Sequence, residues 1–346
     1  MKAAVYEGPQ VLSVRDVPDP KPEPGGVLLR VRACSICGTD LRIYSHGDAK
    51  IAPPMIIGHE LAGDVVEVSE GTSGFKVGDR VLVAPPGISC GECPMCRKGW
   101  GNLCLNRRII GYHYAGGFAE YIAVPSEAVS QGLLIPIPAG MPYAHAAVTE
   151  PLGCVVNGQT PLRIDNGDTV VVIGAGAIGL MHAQLARAKG ATKVVVVDVV
   201  PLRLKMAERF AFDHIIDGST TDPVQEVLRL TGGIGSDVTI VAASAGKAQE
   251  QAVAMVGKRG RVSLFAGLPK DRPHITLDSN RVHYYELAIY GASASAPDNS
   301  REALKWLETG AINANEIVTH RFPLAELVPA MEMMRRGESL KIVIEP

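Results

Sequence analysis

The chain has 346 residues and a formal net charge of −2, with 34 basic side chains against 36 acidic ones. That length allows two domains with a sizeable core in each, and the near balance of charge argues against nucleic acid or an anionic membrane as a partner. The first residues, Met1-Lys-Ala-Ala-Val-Tyr-Glu-Gly, form no apolar leader, and no apolar run of about 18 residues occurs, so a soluble cytoplasmic protein is expected.

Up to about residue 33, strand-like runs (Ala3–Tyr6, Val11–Val14, Val27–Ala33) alternate with a proline-rich bend, Pro18 to Pro24, which predicts β architecture. Cys34-Ser-Ile-Cys37-Gly-Thr39-Asp40 follows, then a short amphipathic helix and Gly58-His59-Glu60. Strands are expected again over Leu61–Val68 and Asp79–Ala84. The count of seven cysteines is odd, and four of them lie within one loop: Cys90, Cys93, Cys96 and Cys104. This clustering is too tight for a disulfide framework, and four thiolates at short spacing suit a closed, tetrahedral structural zinc site over residues 88–106. An iron–sulfur cluster and unligated thiols are the alternatives; the ligand set favours zinc.

After a return to strands and turns from Gly116 to Pro138, Glu150-Pro-Leu opens a helical stretch. The run Thr169-Val-Val-Val-Ile-Gly174-Ala-Gly176-Ala-Ile178-Gly179 then reads as a strand entering a phosphate-binding turn and a helix. In such a βαβ setting one glycine makes the turn, one lets the backbone approach a pyrophosphate, and one lets helix and strand pack closely. The helix N-terminus faces the phosphates with its unpaired N–H groups. A second apolar strand ends in Asp198, which would accept a hydrogen bond from a ribose 2′-hydroxyl and repel a 2′-phosphate, so NAD is preferred over NADP. Arg203 lies near enough to pair with a phosphate instead. Further strands (His214–Asp217, Asp237–Ala242, Arg261–Phe265, Glu286–Tyr290) alternate with helices near 201–210, 222–230 and 247–257, the pattern of a doubly wound parallel sheet. Beyond Gly291, two helices (Ser300–Glu308, Leu324–Arg336) and a strand (Leu340–Ile344) are expected to return to the first domain. The expected organisation is α/β, with one domain from 1–150 and 291–346 and a nested dinucleotide domain over 151–290.

Outside the four-cysteine loop, Cys37, His59, Glu60 and Glu150 could form a dispersed metal site with room for substrate. A catalytic zinc keeps three protein ligands and an open position, and acts as a Lewis acid on an alcohol or carbonyl oxygen. Cys154 competes with Glu150 as third ligand, but a carboxylate suits zinc. Cys34, three before Cys37, invites a redox reading; ending an apolar strand, it reads better as a buried small hydrophobe.

Together, Cys37-Gly-Thr-Asp, Gly58-His-Glu, Gly78-Asp-Arg-Val, the four-cysteine lobe, Gly116-Gly-Phe-Ala-Glu-Tyr, Glu150-Pro-Leu and the dinucleotide fingerprint resemble the zinc-dependent medium-chain dehydrogenase/reductase family across essentially the whole chain. Glu150-Pro-Leu places the resemblance in the sorbitol and threonine dehydrogenase branch. It implies a β-rich GroES-like catalytic domain, a nested Rossmann domain, a catalytic and a structural zinc, and a homodimer or homotetramer. Cys37 and His59 would be catalytic zinc ligands, Glu60 would ligate or exchange with water, and Glu150 would ligate directly or through water. Thr39 would hydrogen-bond the reacting oxygen and pass its proton on. Ala242-Ala-Ser, Ala266-Gly267-Leu268 and Ala292-Ser293 resemble the family's further cofactor contacts.

The family often carries a histidine five positions after the cysteine to end the proton relay; this chain has Arg42, which stays protonated. His46, or the ribose hydroxyls with water, would substitute. Sorbitol-type enzymes carry an Arg-Tyr pair after the last sheet strand, and Gly291-Ala-Ser-Ala-Ser295 here argues against a plain sorbitol enzyme. Tyr112, His113 and Ile43 would shape the pocket. The expected activity is NAD-linked oxidation of a secondary alcohol (polyol, cyclitol, sugar or hydroxy amino acid) to a ketone. The alternatives are an NADP-linked reductase of the same family, a zinc-free quinone or enoyl reductase, and a non-catalytic NAD binder.

Overall fold

The computed structural model describes residues 1–346, and the chain divides into two compact units. Met1–Gly153, Ala294–Gly310 and Val318–Pro346 form one; Cys154–Ser293 and Ala311–Ile317 form the other. The architecture is a GroES-like β-rich domain and a Rossmann-type parallel-sheet domain.

In the first unit a seven-stranded sheet runs in the order Leu134–Pro136, Arg80–Val83, Glu60–Val68, Val27–Ser35, Lys341–Glu345, Val318–Pro323, with Tyr121–Val124 also pairing to Val27–Ser35. The alternation of Val27, Leu29 and Val31 with more exposed neighbours gives one buried face. Tyr6, Leu29, Ile36, Ile57, Leu61, Phe118 and Ile122 fill this core, each at 2% exposure or less. Each such side chain contributes roughly 1.5–3 kcal/mol on leaving water.

In the second unit six parallel strands run in the order His214–Asp217, Lys193–Asp198, Thr169–Ile173, Ser236–Val241, Val256–Leu264, Ala288–Gly291. Strands covered by helices on both faces need continuous apolar runs, and Val170–Val172 and Val194–Val197 are almost fully buried. The strand order reverses beside Thr169–Ile173, where the Gly174–Gly179 turn sits at the carboxyl ends.

Several boundaries depart from the expectations. Residues 311–317 belong to the dinucleotide unit rather than the catalytic one, because Asn313 N–H donates to Gln184 Oε1 (2.7 Å) and Ile312 and Ile317 bury their side chains. The last strand of that unit starts at Ala288, not Glu286, whose φ of 53° is incompatible with strand geometry. The strand Val318–Pro323 was not expected; it is short and polar, and proline ends it, as suits a sheet edge. The helix expected from Ser300 begins at Pro297, in the first turn, where its lacking N–H is harmless. No helix is long and apolar enough to cross a membrane.

Candidate active site

Strand register assembles the site. Ser35 lies opposite Glu60 in the antiparallel pairing of Val27–Ser35 with Glu60–Val68, and opposite Val343 of the closing strand. Cys37 caps the helix Gly38–His46, and Asp40 in its first turn accepts from Cys37 N–H at 2.9 Å. Gly58 explains the Gly-His-Glu motif. Its φ is +97°, and a Cβ there would lie 2.9 Å from the Phe118 ring and 3.0 Å from Cys34 Sγ, so only glycine lets the chain enter the strand at His59.

The ligand atoms of Cys37, His59 and Glu60 lie within 4.8 Å of one another. His59 Nδ1 faces Asp40 Oδ1 at 3.4 Å, and neither atom has a hydrogen-bond partner within the protein. Such a carboxylate behind a histidine fixes the ring and leaves the other nitrogen for a metal. Burial opposes a proton on His59, but Asp40 and Cys37 outweigh it and hold the ring well above its usual pKa. The same anionic surroundings suit a bound cation, so these residues fit zinc.

Glu150, in the first turn of the helix Thr149–Gln159, is buried but stands outside that trio, as does Cys154. Burial pushes its carboxyl up to about 7, helped by Glu60 and opposed by His59 and Lys341. The residue that sequence reasoning missed is Lys341. Its ammonium reaches Glu60 at 2.6 Å (Oε2) and 2.8 Å (Oε1) and donates to Ile36 O at 3.0 Å. Ser35 Oγ donates to Glu60 Oε2 as well. Asp40 was equally given no role; its signals were its place in the Cys37-Gly-Thr-Asp motif and at i+3 of a helix cap.

Thr39 is half-buried beside Cys37 in the helix's first turn, whereas His46 is exposed in its last turn. Arg42 is ion-paired to Asp48 at 2.8 Å. Tyr112 is buried, its ring 6.3 Å from that of His59, and burial pushes its hydroxyl up to about 12. Of the residues expected to shape the pocket, Ile43 is fully buried in the core and so cannot line it, while His113 is exposed, its Nδ1 accepting from Ile109 N–H within its own loop (3.1 Å). Cys34 is completely buried, and burial pushes its thiol well up.

In the four-cysteine lobe the Sγ separations are 3.5 Å (Cys93–Cys96, Cys90–Cys104), 3.9 Å (Cys93–Cys104) and 4.0 Å (Cys90–Cys96). Four sulfurs held about 2.3 Å from one ion form a tetrahedron with edges of about 3.8 Å. The lobe therefore fits a closed metal site, and all four thiols are free of disulfides. Backbone N–H groups of Cys96 and Leu105 pull the Cys93 thiol down to about 6.

In the dinucleotide unit, a Cβ on Gly179 would lie 1.7 Å from Gly174 O, while the space beside Gly176 is open. Ile178 is half-buried in the first turn of the helix Ala177–Ala188. Asp198 Oδ1 accepts from Val199 and Val200 N–H (2.7 and 2.9 Å), and Oδ2 from Ala175 N–H (2.6 Å), tying the strand end to the glycine turn. A cavity of about 230 Å³ beside it is lined by Gly174, Asp198, Val200, Arg203, Pro223 and Lys247. Arg203 lies 3.9 Å from Asp198, and Lys247 was not anticipated. Ala266, Gly267 and Leu268 follow the strand Val256–Leu264, Ala266 O accepting from Gln249; Ala292 and Ser293 follow Ala288–Gly291.

Residues 23–139 match the alcohol dehydrogenase GroES-like domain, and residues 177–309 match the zinc-binding dehydrogenase domain. The sorbitol dehydrogenase of Halalkalibacterium halodurans is 33% identical over 352 residues, covering 100% of this chain and 99% of the relative. The L-threonine 3-dehydrogenase of Pyrococcus horikoshii is 37% identical over 334 residues, covering 95% and 93%. Among solved structures, a protein of Sinorhizobium meliloti 1021 described as a zinc-binding dehydrogenase and bound to NADP superposes with a TM-score of 0.93 at 33% identity, covering 100% and 99%. The 2R,3R-butanediol dehydrogenase of Bacillus subtilis gives 0.91 at 29%, with the same coverage. The chain belongs to the zinc-dependent medium-chain dehydrogenases, in their polyol and threonine dehydrogenase branch, and is an oxidoreductase acting on CH–OH donors.

Proposed function

We propose that the protein catalyses reversible NAD-linked oxidation of a secondary alcohol of a polyol, cyclitol, sugar or hydroxy amino acid to the ketone. The observation that carries this reading is the convergence of Cys37, His59 and Glu60 with Asp40 behind the histidine. Cys37, His59 and Glu150 would hold a zinc ion, with Glu60 close enough to exchange with water in that shell when its own partners release it, and the four-cysteine lobe would hold a second zinc. When bound, zinc supplies Lewis-acid polarisation of the alcohol oxygen and NAD accepts the hydride. Thr39, beside Cys37, hydrogen-bonds the reacting oxygen and hands its proton outward. Arg42 cannot take that proton, since it stays charged and is paired to Asp48. Buried Tyr112, its ring 6.3 Å from that of His59, would form part of the wall beside the histidine.

Asp198, with Arg203, binds the adenosine ribose and favours NAD. A second reading, NADP use, is supported by two cations, Arg203 and Lys247, against one carboxylate in that cavity, and by the NADP-bound Sinorhizobium relative. The half-exposed edge strand Ala288–Gly291 offers backbone groups for pairing with a second copy, so a homodimer or homotetramer is proposed. Clustered thiolates suit a reducing cytoplasm. The test is NAD and NADP reduction over polyols, inositols, sugars and threonine, with and without chelator, on protein of known zinc content. Chelator-sensitive reduction of NAD supports the proposal; silence across the panel with both zincs bound refutes the substrate class.

A further inference from the structure

Lys341 is 5% exposed at its side chain and Glu60 0%, so this ion pair is screened little by water. The three donors of an ammonium are all used, on the two Glu60 oxygens and on Ile36 O. Ser35 Oγ adds a further donor to Oε2, so both carboxylate oxygens are engaged on the side of the closing strand. For an oxygen of Glu60 to stand about 2.0–2.2 Å from a zinc ion it must give up part of this grip. Removing one partner of a buried pair leaves the other charge uncompensated, and an uncompensated carboxylate seeks the nearest cation. The backbone makes the grip rigid: Ile344 and Val343 pair with Cys34 and Ser35, and Ile36 N–H donates to Ile342 O at 2.9 Å.

We propose that Lys341, with Ser35, is a positioning residue that withholds Glu60 from the catalytic metal, and thereby sets the affinity and the coordination number of that centre. The inference rests on the metal site proposed above. It makes the closing strand part of the metal centre although Lys341 touches no expected ligand but Glu60. The lysine charge also offsets one anion in a cluster that already holds Cys37, Asp40 and Glu150, and so weakens the cluster's pull on a divalent cation.

The test uses the full chain with cobalt(II) in place of zinc, and reads the visible absorption bands together with metal affinity against a chromophoric chelator. Wild type should take a second cobalt beyond the four-cysteine lobe. In Lys341→Met the second cobalt should bind at least about tenfold tighter, the scale on which outer-shell groups act on a metal site, and its bands should weaken and shift as Glu60 joins the ligands. Lys341→Arg, which keeps a cation able to fork onto the carboxylate, should behave as wild type. Ser35→Ala, a milder release that leaves the ion pair in place, should move both readouts in the Met direction by less. Bands and affinity unchanged in both Lys341→Met and Ser35→Ala, or weaker binding in either, would overturn the proposal. If wild type takes up cobalt only in the four-cysteine lobe, it is the catalytic metal reading that fails.

Discussion

Acidification should loosen the dinucleotide unit through one buried histidine. His182, on the helix that follows the glycine turn, is completely buried; its Nδ1 meets Gln159 Nε2 at 3.2 Å, its Nε2 faces no protein polar atom, and the Phe265 ring packs edge-on at 4.5 Å. Burial, with a smaller push from Lys189, lowers its pKa from 6.5 to about 3. The group binds its proton more weakly folded than unfolded, so its contribution to stability is complete above pH 6.5 and is lost progressively as pH falls toward 3. Between pH 7 and pH 5 the unfolded chain gains most of a proton that the folded chain refuses, which costs about 2 kcal/mol at about 1.4 kcal/mol per unit. Urea unfolding of wild type and His182→Gln at both pH values, read by circular dichroism, measures the difference. The variant should lose about 2 kcal/mol less than wild type over that interval. Equal losses would show that His182 is protonated without cost, and the argument from its burial would be wrong.

Three further outcomes follow from the sites. Thr39→Val should leave the metal content intact and lower kcat by about 10²–10⁴, the range of a lost general acid–base group, with partial recovery at high pH where the proton leaves unaided; a drop below tenfold in single-turnover assays removes Thr39 from the relay. Asp40→Asn removes the charge 3.4 Å from His59 Nδ1 and should weaken the catalytic metal by about 10–100-fold in chelator competition, while the four-cysteine metal stays. Loss of both metals together would point to general misfolding instead. Gly179→Ala places a Cβ 1.7 Å from Gly174 O, so the turn must open, and NAD affinity measured by calorimetry should fall at least about tenfold. Unaltered NAD affinity would mean that the turn is not the phosphate cradle.

Much of this protein is legible in its sequence wherever the chemistry lies close along the chain. The four cysteines share one short loop, so their spacing alone implies the tetrahedron that their sulfurs outline. The apolar strand, three glycines and Asp198 likewise belong to one βαβ unit whose local packing requires them, and the six-stranded parallel sheet follows from the alternation of apolar strands and amphipathic helices. What tertiary structure alone decided is which distant groups meet. Lys341 lies 281 residues from Glu60, and only the pairing of the closing strand with Val27–Ser35 brings them together. Lys247 enters the Asp198 cavity from the start of another helix, and Ala311–Ile317 leaves its sequence neighbours for the dinucleotide unit. A lysine in a strand or an aspartate in a helix looks the same in sequence whether it faces water or a buried partner, because burial and register are set by the whole fold and not by neighbouring residues.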